Sequence, residues 1–146
     1  MHIPAIVGGA LEGPVVGLLA GAIFGVFSFL SPDSPIFTYP QVAILPRLLI
    51  GIVAWAVFAS LRNRNLYLAS IAAGVLGSLT NSIGVLGIAR LMELLNTEQI
   101  ITIVPQVIAE AILAAIVTVV VVRGVLLYRS GRTTAPEIGS EEEKRY

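Results

Sequence analysis

The chain has 146 residues and no net formal charge; 56% of its residues are hydrophobic and only 12% are charged. A soluble domain of this length needs a polar surface that such a composition does not provide, so the composition favours a membrane protein. The sequence has no basic cluster for nucleic acid binding, and the absence of cysteine excludes disulfides, thiolate metal sites and cysteine nucleophiles.

The first three hydrophobic segments are Ile3–Leu11, Pro14–Leu30 and Ala43–Leu61. Glycine and proline in Glu12–Pro14 predict a turn that folds the first two segments into a helical hairpin. Ile3–Leu11 is short, because a rise of about 1.5 Å per residue covers only about half of a hydrocarbon core. Ala43–Leu61 is long enough to cross the membrane once.

The fourth segment, Leu66–Leu95, is longer than one span requires and is interrupted by glycines, so we expect it to be tilted or bent. The fifth, Thr102–Tyr128, crosses once. The polar remainder is rich in charge and contains serine, glycine and proline, which is typical of disorder. Together the segments predict an all-α, polytopic membrane helical bundle over residues 1–128 and a disordered cytoplasmic tail over residues 129–146.

The positions of the arginines predict how the chain is oriented in the membrane. The turn with Arg62 and Arg64 is basic, whereas the loops Ser31–Val42 and Asn96–Ile101 contain no lysine or arginine. The positive-inside rule therefore places the basic turn and the C-terminus in the cytoplasm and these two loops outside. Met1 would then lie outside, before a half-length helix, which predicts that a preceding helix is missing through truncation or a misplaced start codon. The alternative is a five-span protein with an unusual start.

Glycine recurs every fourth residue along one face of the second segment, at Gly13, Gly17, Gly21 and Gly25. Within lipid, small residues let helix backbones approach closely, and this approach supplies much of the attraction between helices. The stripe therefore predicts a helix-docking face, which is either an internal seam or a contact with a partner subunit. A similar seam is predicted for the row Ala69, Ala73 and Gly77.

Several polar side chains lie within the predicted spans. Ionised groups in hydrocarbon cost several kcal/mol unless they are paired or hydrated, so we expect them to face the interior of the bundle. A cavity open to the outside would satisfy this requirement and could bind a small polar metabolite, with an arginine holding a carboxylate or phosphate. The alternative is a structural arginine–glutamate pair between helices. The residues expected to line the cavity are Arg47, Asn81, Arg90, Gln106 and Glu110.

Two further residues near the outer membrane boundary are weighed as ligand contacts. Tyr39 lies in a proline-rich outer loop and could cover a bound substrate. His2 is the only histidine of the chain, and we interpret it as incidental rather than as a ligand. The sequence contains no paired carboxylates, phosphate-binding glycine loop or metalloprotease motif, so we expect no enzymatic activity and no cofactor in this chain.

The segments that carry a family resemblance are, in chain order, MHIPAIVGGALEGPVVGLLAGAIFGVFSFL, a proline-rich loop, ILPRLLIGIVAW, GSLTNSIGVLG and PQVIAEAILAAIV. Their order and spacing resemble the S component, the substrate-binding subunit, of energy-coupling factor (ECF) vitamin transporters. The resemblance runs from residue 1 to about residue 128 and is nearest to the pantothenate-type branch. It implies a bundle of six helices, of which five are present here.

The resemblance also implies partners and a mechanism. Members of this family bind a vitamin or vitamin precursor and deliver it with a transmembrane coupling subunit and two ATPase subunits, which are the subunits that use ATP. Family docking faces imply partner contact at Gly17, Gly21 and Gly25. The family pocket falls at Arg47, Asn81 and the Gln106/Glu110 pair. The competing hypothesis is a structural or assembly membrane protein without a small-molecule ligand.

Overall fold

A computed structural model describes residues 2–133 of the chain. It contains five α-helices and one short 3-10 helix, and it has no strand within these residues. The helices are α1 (Ile3–Glu12), α2 (Pro14–Leu30), α3 (Pro40–Leu61), α4 (Leu66–Leu91) and α5 (Thr97–Thr133), with the 3-10 helix Pro35–Thr38 before α3. Each predicted hydrophobic segment corresponds to one helix. The prediction of an all-α membrane helical bundle is confirmed.

Local sequence signals explain where the helices begin. Gly13 adopts a φ of 103° between α1 and α2, a left-handed conformation that glycine tolerates, and Pro14 follows as the first residue of α2. Asn65 caps α4, because its side-chain oxygen accepts hydrogen bonds from the backbone N–H groups of Tyr67 (2.9 Å) and Leu68 (3.1 Å). The two turns therefore lie where the sequence predicts them.

Helix α5 is longer than predicted at both ends. A reciprocal cap begins it: Asn96 Oδ1 accepts from the Gln99 N–H (2.8 Å), and Gln99 Oε1 accepts from the Asn96 N–H (2.9 Å). The helix then continues through Thr133, past the predicted bundle boundary at residue 128. The rest of the predicted disordered tail, residues 134–146, lies outside the described residues.

Three of the helices, α3, α4 and α5, are long and apolar enough to cross a membrane, and α1 and α2 are shorter apolar helices. Large hydrophobic side chains also cover the outside of the bundle, including Val15, Ile23 and Ile83. In water this apolar surface would promote aggregation, whereas in a membrane it contacts the apolar lipid chains. The chain is therefore a multi-pass membrane protein.

The part of the glycine stripe that belongs to α2 lies inside the bundle and packs against α3, whereas Gly13 lies in the turn before α2, where a Cβ atom would have no neighbour within 4 Å. Gly17, Gly21 and Gly25 are buried. A Cβ atom on Gly17 would lie 2.8 Å from the Cα of Gly51, and one on Gly25 would lie 3.0 Å from the Cα of Ile44. Because α3 of the same chain occupies that face, these contacts favour the internal seam. Contact with a partner subunit at the stripe stays a prediction.

Several basic residues of the described part of the chain collect at one end of the bundle. Arg129, near the end of α5, forms an ion pair with Glu12 at the end of α1. The guanidinium of Arg123 lies 4.3 Å from the centre of the Tyr67 ring at the start of α4. These contacts bring the end of α5 beside the α1–α2 turn and the start of α4. This basic end faces away from the loop that carries the 3-10 helix.

Candidate ligand-binding cavity

A cavity of about 520 Å³ opens at the end of the bundle that carries the 3-10 helix. Side chains from α2, α3, α4 and α5, from the loop before α3 and from the residue before α1 line it. Its size is in the range of cavities that hold a small metabolite. Four of the residues expected from the sequence line it together: Arg47, Asn81, Gln106 and Glu110.

Arg47 is the most deeply buried charged group of this cavity. It lies on α3 with only 3% of its surface exposed. One terminal nitrogen donates to the backbone oxygen of Val42 (2.6 Å) and the other donates to Ser28 Oγ (3.4 Å), whereas Nε has no hydrogen-bond partner. The guanidinium is thus fixed in orientation while one of its three nitrogens, Nε, has no acceptor.

Two aromatic rings hold the Arg47 guanidinium from different elements. The centre of the Phe37 ring, in the 3-10 helix, lies 4.5 Å from Cζ, and that of Phe24, on α2, lies 5.3 Å away. Both distances are within the range of cation–π attraction. The rings restrict the rotation of the side chain and so hold the guanidinium in one orientation.

No carboxylate among the described residues forms an ion pair with Arg47. A buried cation without a counter-ion is costly, and neutral hydrogen bonds and aromatic rings offset only part of that cost. A carboxylate or phosphate on a ligand would supply the missing charge with bidentate geometry. The alternative interpretation, a structural arginine–glutamate pair, is weakened because Glu110 pairs with neither Arg47 nor Arg90.

The other predicted lining residues come from α4 and α5. Asn81 on α4 is half-buried, and its Oδ1 has no hydrogen-bond partner. On α5, the side-chain nitrogen of Gln106 donates to Glu110 Oε1 at 2.9 Å. This bond joins residues four apart on one helical face. The pair thus adds both a carboxylate and an amide to the cavity wall.

His2 is a lining residue that the sequence interpretation missed. Only 6% of its surface is exposed, it lines the cavity, and its Nε2 has no hydrogen-bond partner. A signal for its position was present, because Pro4 in the first turn marks the start of α1 and so places His2 at the cavity end of that helix. His2 is therefore not incidental to the cavity, because its position before α1 places its side chain in the cavity wall.

Two predicted residues lie outside the cavity. Arg90 is exposed, because nine residues at about 100° each place it about half a turn around α4 from Asn81. Tyr39 is 41% exposed and does not line the cavity, although Phe37 from the same loop does. The structure thus does not bring Arg90 to the cavity wall. Cover of a bound substrate by Tyr39 stays a prediction, while the same loop contributes the aromatic ring of Phe37 to the lining.

Comparison with known proteins adds an independent finding. The family model for the ECF transporter substrate-specific component matches residues 1–122 of this chain. No curated protein matches the chain. The matched range includes the glycine seam and every residue that lines the cavity.

Proposed function

Because the chain belongs to the family of ECF transporter substrate-specific components, we propose that it captures a vitamin or vitamin precursor in this cavity. As a member of that family it is the membrane-embedded, substrate-specific component of an ECF importer. Its partners are the transmembrane coupling module and the ATPase module of that importer, and its ligand is a small molecule. We expect the ATPase subunits, rather than this chain, to use ATP.

The state of Arg47 supports an anionic ligand. Its guanidinium is buried and aromatic-stacked, has a free Nε donor and forms no ion pair among the described residues. A ligand carboxylate would gain charge-assisted hydrogen bonds there and would remove the cost of an uncompensated buried cation. Pantothenate carries one carboxylate together with hydroxyl and amide groups, so it is the first ligand to test.

The separation of the two ends of the bundle supports uptake from outside the cell. The cavity lies at the end with the 3-10 helix, and the basic turn with Arg62 and Arg64 adjoins the opposite end. Under the positive-inside rule the basic end faces the cytoplasm, so the cavity faces outward and the C-terminus is cytoplasmic. A ligand would therefore enter without first crossing the membrane.

Equilibrium binding of a panel of B vitamins to the purified full chain in detergent tests this proposal. We expect one carboxylate-bearing vitamin to bind with a Kd below about 1 µM. Arg47→Gln should weaken that binding by roughly a hundredfold, since a charged hydrogen-bonded pair is lost. Arg90→Gln is the matched control: it removes an arginine from the exposed face of α4 and should bind like the unaltered chain.

Two results would count against the proposal. If no vitamin of the panel binds below about micromolar Kd, the ligand-capture function fails and a structural or assembly role in the membrane is favoured. If a vitamin binds but Arg47→Gln and Arg90→Gln behave alike, the ligand is not held by Arg47, and the anionic specificity fails. Each variant should first be shown to keep the thermal stability of the unaltered chain.

A further inference from the structure

This inference rests on the proposed function and concerns the other end of the ligand. We propose that His2 and Asn81 form a second, neutral subsite of the cavity, which hydrogen-bonds the polar end of the ligand. The substrate class is then narrower than a small anion. It is a bifunctional molecule with an anionic group for Arg47 and a hydroxyl or amide group for the second subsite.

The His2 side chain is placed to contact a ligand rather than to stabilise its own helix. Its backbone oxygen accepts hydrogen bonds from the N–H groups of Ala5 and Ile6, both at 3.2 Å, and so begins α1. The imidazole makes no capping hydrogen bond, although His2 occupies the position where a side chain would cap the helix. It is buried in the cavity wall instead, with Nε2 unpartnered.

Asn81 repeats this pattern on α4. Its amide is buried deeply enough that Oδ1 is shielded from solvent, yet Oδ1 has no hydrogen-bond partner. The neighbouring Thr80 hydroxyl, by contrast, is satisfied within the helix, since it donates to the backbone oxygen of Leu76 at 2.7 Å. Buried polar atoms in native proteins are nearly always paired. The unpaired hydroxyls of Ser78 and Thr118 do not line the cavity, whereas His2 and Asn81 both do, so one ligand in the cavity can pair both.

The two subsites are built from different elements. Arg47 is held by Ser28 and Phe24 of α2, by Phe37 of the 3-10 helix and by its own helix. His2 precedes α1, Asn81 lies on α4, and neither forms a hydrogen bond with Arg47. A ligand that satisfies both groups must therefore contact α3, α4 and the residue before α1.

The test pairs substitutions in the protein with a change in the ligand. Pantothenate and pantothenol, in which a primary alcohol replaces the carboxylate, form the first probe pair; any other vitamin that the panel identifies is tested with its own alcohol or amide analogue. The preference is the Kd for pantothenol divided by the Kd for pantothenate. We expect Arg47→Gln to reduce this ratio toward one. We expect His2→Ala to weaken both ligands by about tenfold or more and to leave that preference unchanged.

A conservative variant distinguishes ligand contact from a structural role. In His2→Gln the side-chain amide nitrogen can occupy the position of Nε2, so binding should stay within about threefold of the unaltered chain. Thermal unfolding without ligand should be the same for His2→Ala and His2→Gln. Failure of His2→Gln to restore binding, at equal stability, would overturn the second subsite.

The remaining outcomes separate this inference from the function on which it rests. If the unaltered chain binds a vitamin and His2→Ala binds it equally well, only the second subsite is wrong. If His2→Ala changes the ratio of the two affinities, His2 contacts the anionic end and the division into two subsites is wrong. If the unaltered chain binds no vitamin at all, the proposed function fails and this inference fails with it.

Discussion

The bundle has a packed half, toward the basic end, and a cavity half, toward the 3-10 helix. Their helices pack differently, and α3 belongs to both. Gly51 contributes to a contact in which backbones touch, whereas Arg47, one turn earlier on the same helix, borders a cavity. At Gly51 the helices leave no space for a side chain, because a Cβ atom there would overlap the backbone of Gly17. At Arg47 the helices border the cavity, whose lining includes polar atoms without partners.

In the packed half, close approach of backbones is sufficient for stability. A Cβ atom on Gly17 would lie 2.8 Å from the Cα atoms of both Gly9 and Gly51. Helices α1, α2 and α3 therefore meet at residues that have no side chain beyond a hydrogen atom. Fully buried alanines, including Ala54 and Ala73, continue this core. Dispersion contacts between such surfaces need no ligand. This half holds the helices in place for the other.

In the cavity half, the same helices leave His2, Arg47 and Asn81 each with an unsatisfied buried atom. Each such atom costs about 1–3 kcal/mol relative to a paired one. Ser78 and Thr118 also have unpaired hydroxyls but do not line the cavity, so it is the shared cavity wall that indicates stabilisation of this half by what it binds. Substitutions in the packed half should therefore lower stability, and those in the cavity half should lower affinity.

The largest effect is expected for Gly21→Leu. A Cβ atom at Gly21 would lie 3.0 Å from the backbone carbonyl carbon of Arg47 and closer still to its oxygen, and neither atom can move without moving α3. Overpacking of this kind typically costs about 1–3 kcal/mol, and a clash with backbone should cost at least the upper value. Thermal unfolding of the purified protein measures the loss, and ligand binding should fall as well because Arg47 is displaced.

Gly87→Leu is the matched control for that experiment. Gly87 also lies within a membrane helix, but no atom lies within 4 Å of a Cβ built on it, so leucine should be accommodated. If Gly21→Leu unfolds at the same temperature as Gly87→Leu, the α2–α3 seam is not as tight as described. The glycine stripe would then again be open to a partner subunit.

Asn81→Ala should produce the next largest effect, and it should act on affinity. We expect ligand binding to weaken by about 1–3 kcal/mol, which is roughly 5- to 150-fold in Kd, while thermal stability without ligand does not fall, since an unpaired buried atom is removed. Thr80→Ala is the control at the same depth, since its hydroxyl bonds only to its own helix. Equal affinities for the two variants, measured by titration calorimetry, would remove Asn81 from the site.

Much of the fold could be predicted from the sequence, because hydrophobic segments and their breaks are local signals. Glycine and proline at Gly13 and Pro14 end one helix and begin the next, as predicted. The start of α5 was placed too late because the cap formed by Asn96 and Gln99 lies before the apolar residues. A search based on hydropathy alone does not detect such a polar helix start.

The site was predicted less completely, because membrane depth is readable from the sequence but the direction of a side chain depends on packing. Arg47 and Arg90 are both arginines in outer halves of helices, yet only Arg47 faces inward. The spacing of nine residues from Asn81 could have excluded Arg90. For the glycine stripe, the periodicity shows which face of α2 packs closely but does not identify the helix that packs against it.

A smaller effect is expected for Phe37→Leu. The ring of Phe37 lies 4.5 Å from the Arg47 guanidinium, and a cation–π contact contributes about 0.5–2 kcal/mol. We therefore expect ligand binding to weaken by roughly 2- to 30-fold. Tyr39→Leu, in the same loop but outside the cavity, should bind normally. A larger loss for Tyr39→Leu than for Phe37→Leu would restore tyrosine as the aromatic cover of the site.

The smallest effect is expected at the basic end, from Glu12→Gln. Glu12 and its ion-pair partner Arg129 are 46% and 52% exposed, so water and salt screen their attraction. Their pairing should contribute less than about 1 kcal/mol, and the variant should unfold within a few degrees of the unaltered chain. Vitamin affinity should not change, because the pair lies at the end of the bundle opposite the cavity. A loss of binding in Glu12→Gln would mean that the two halves are coupled, and that closing the basic end helps to shape the cavity.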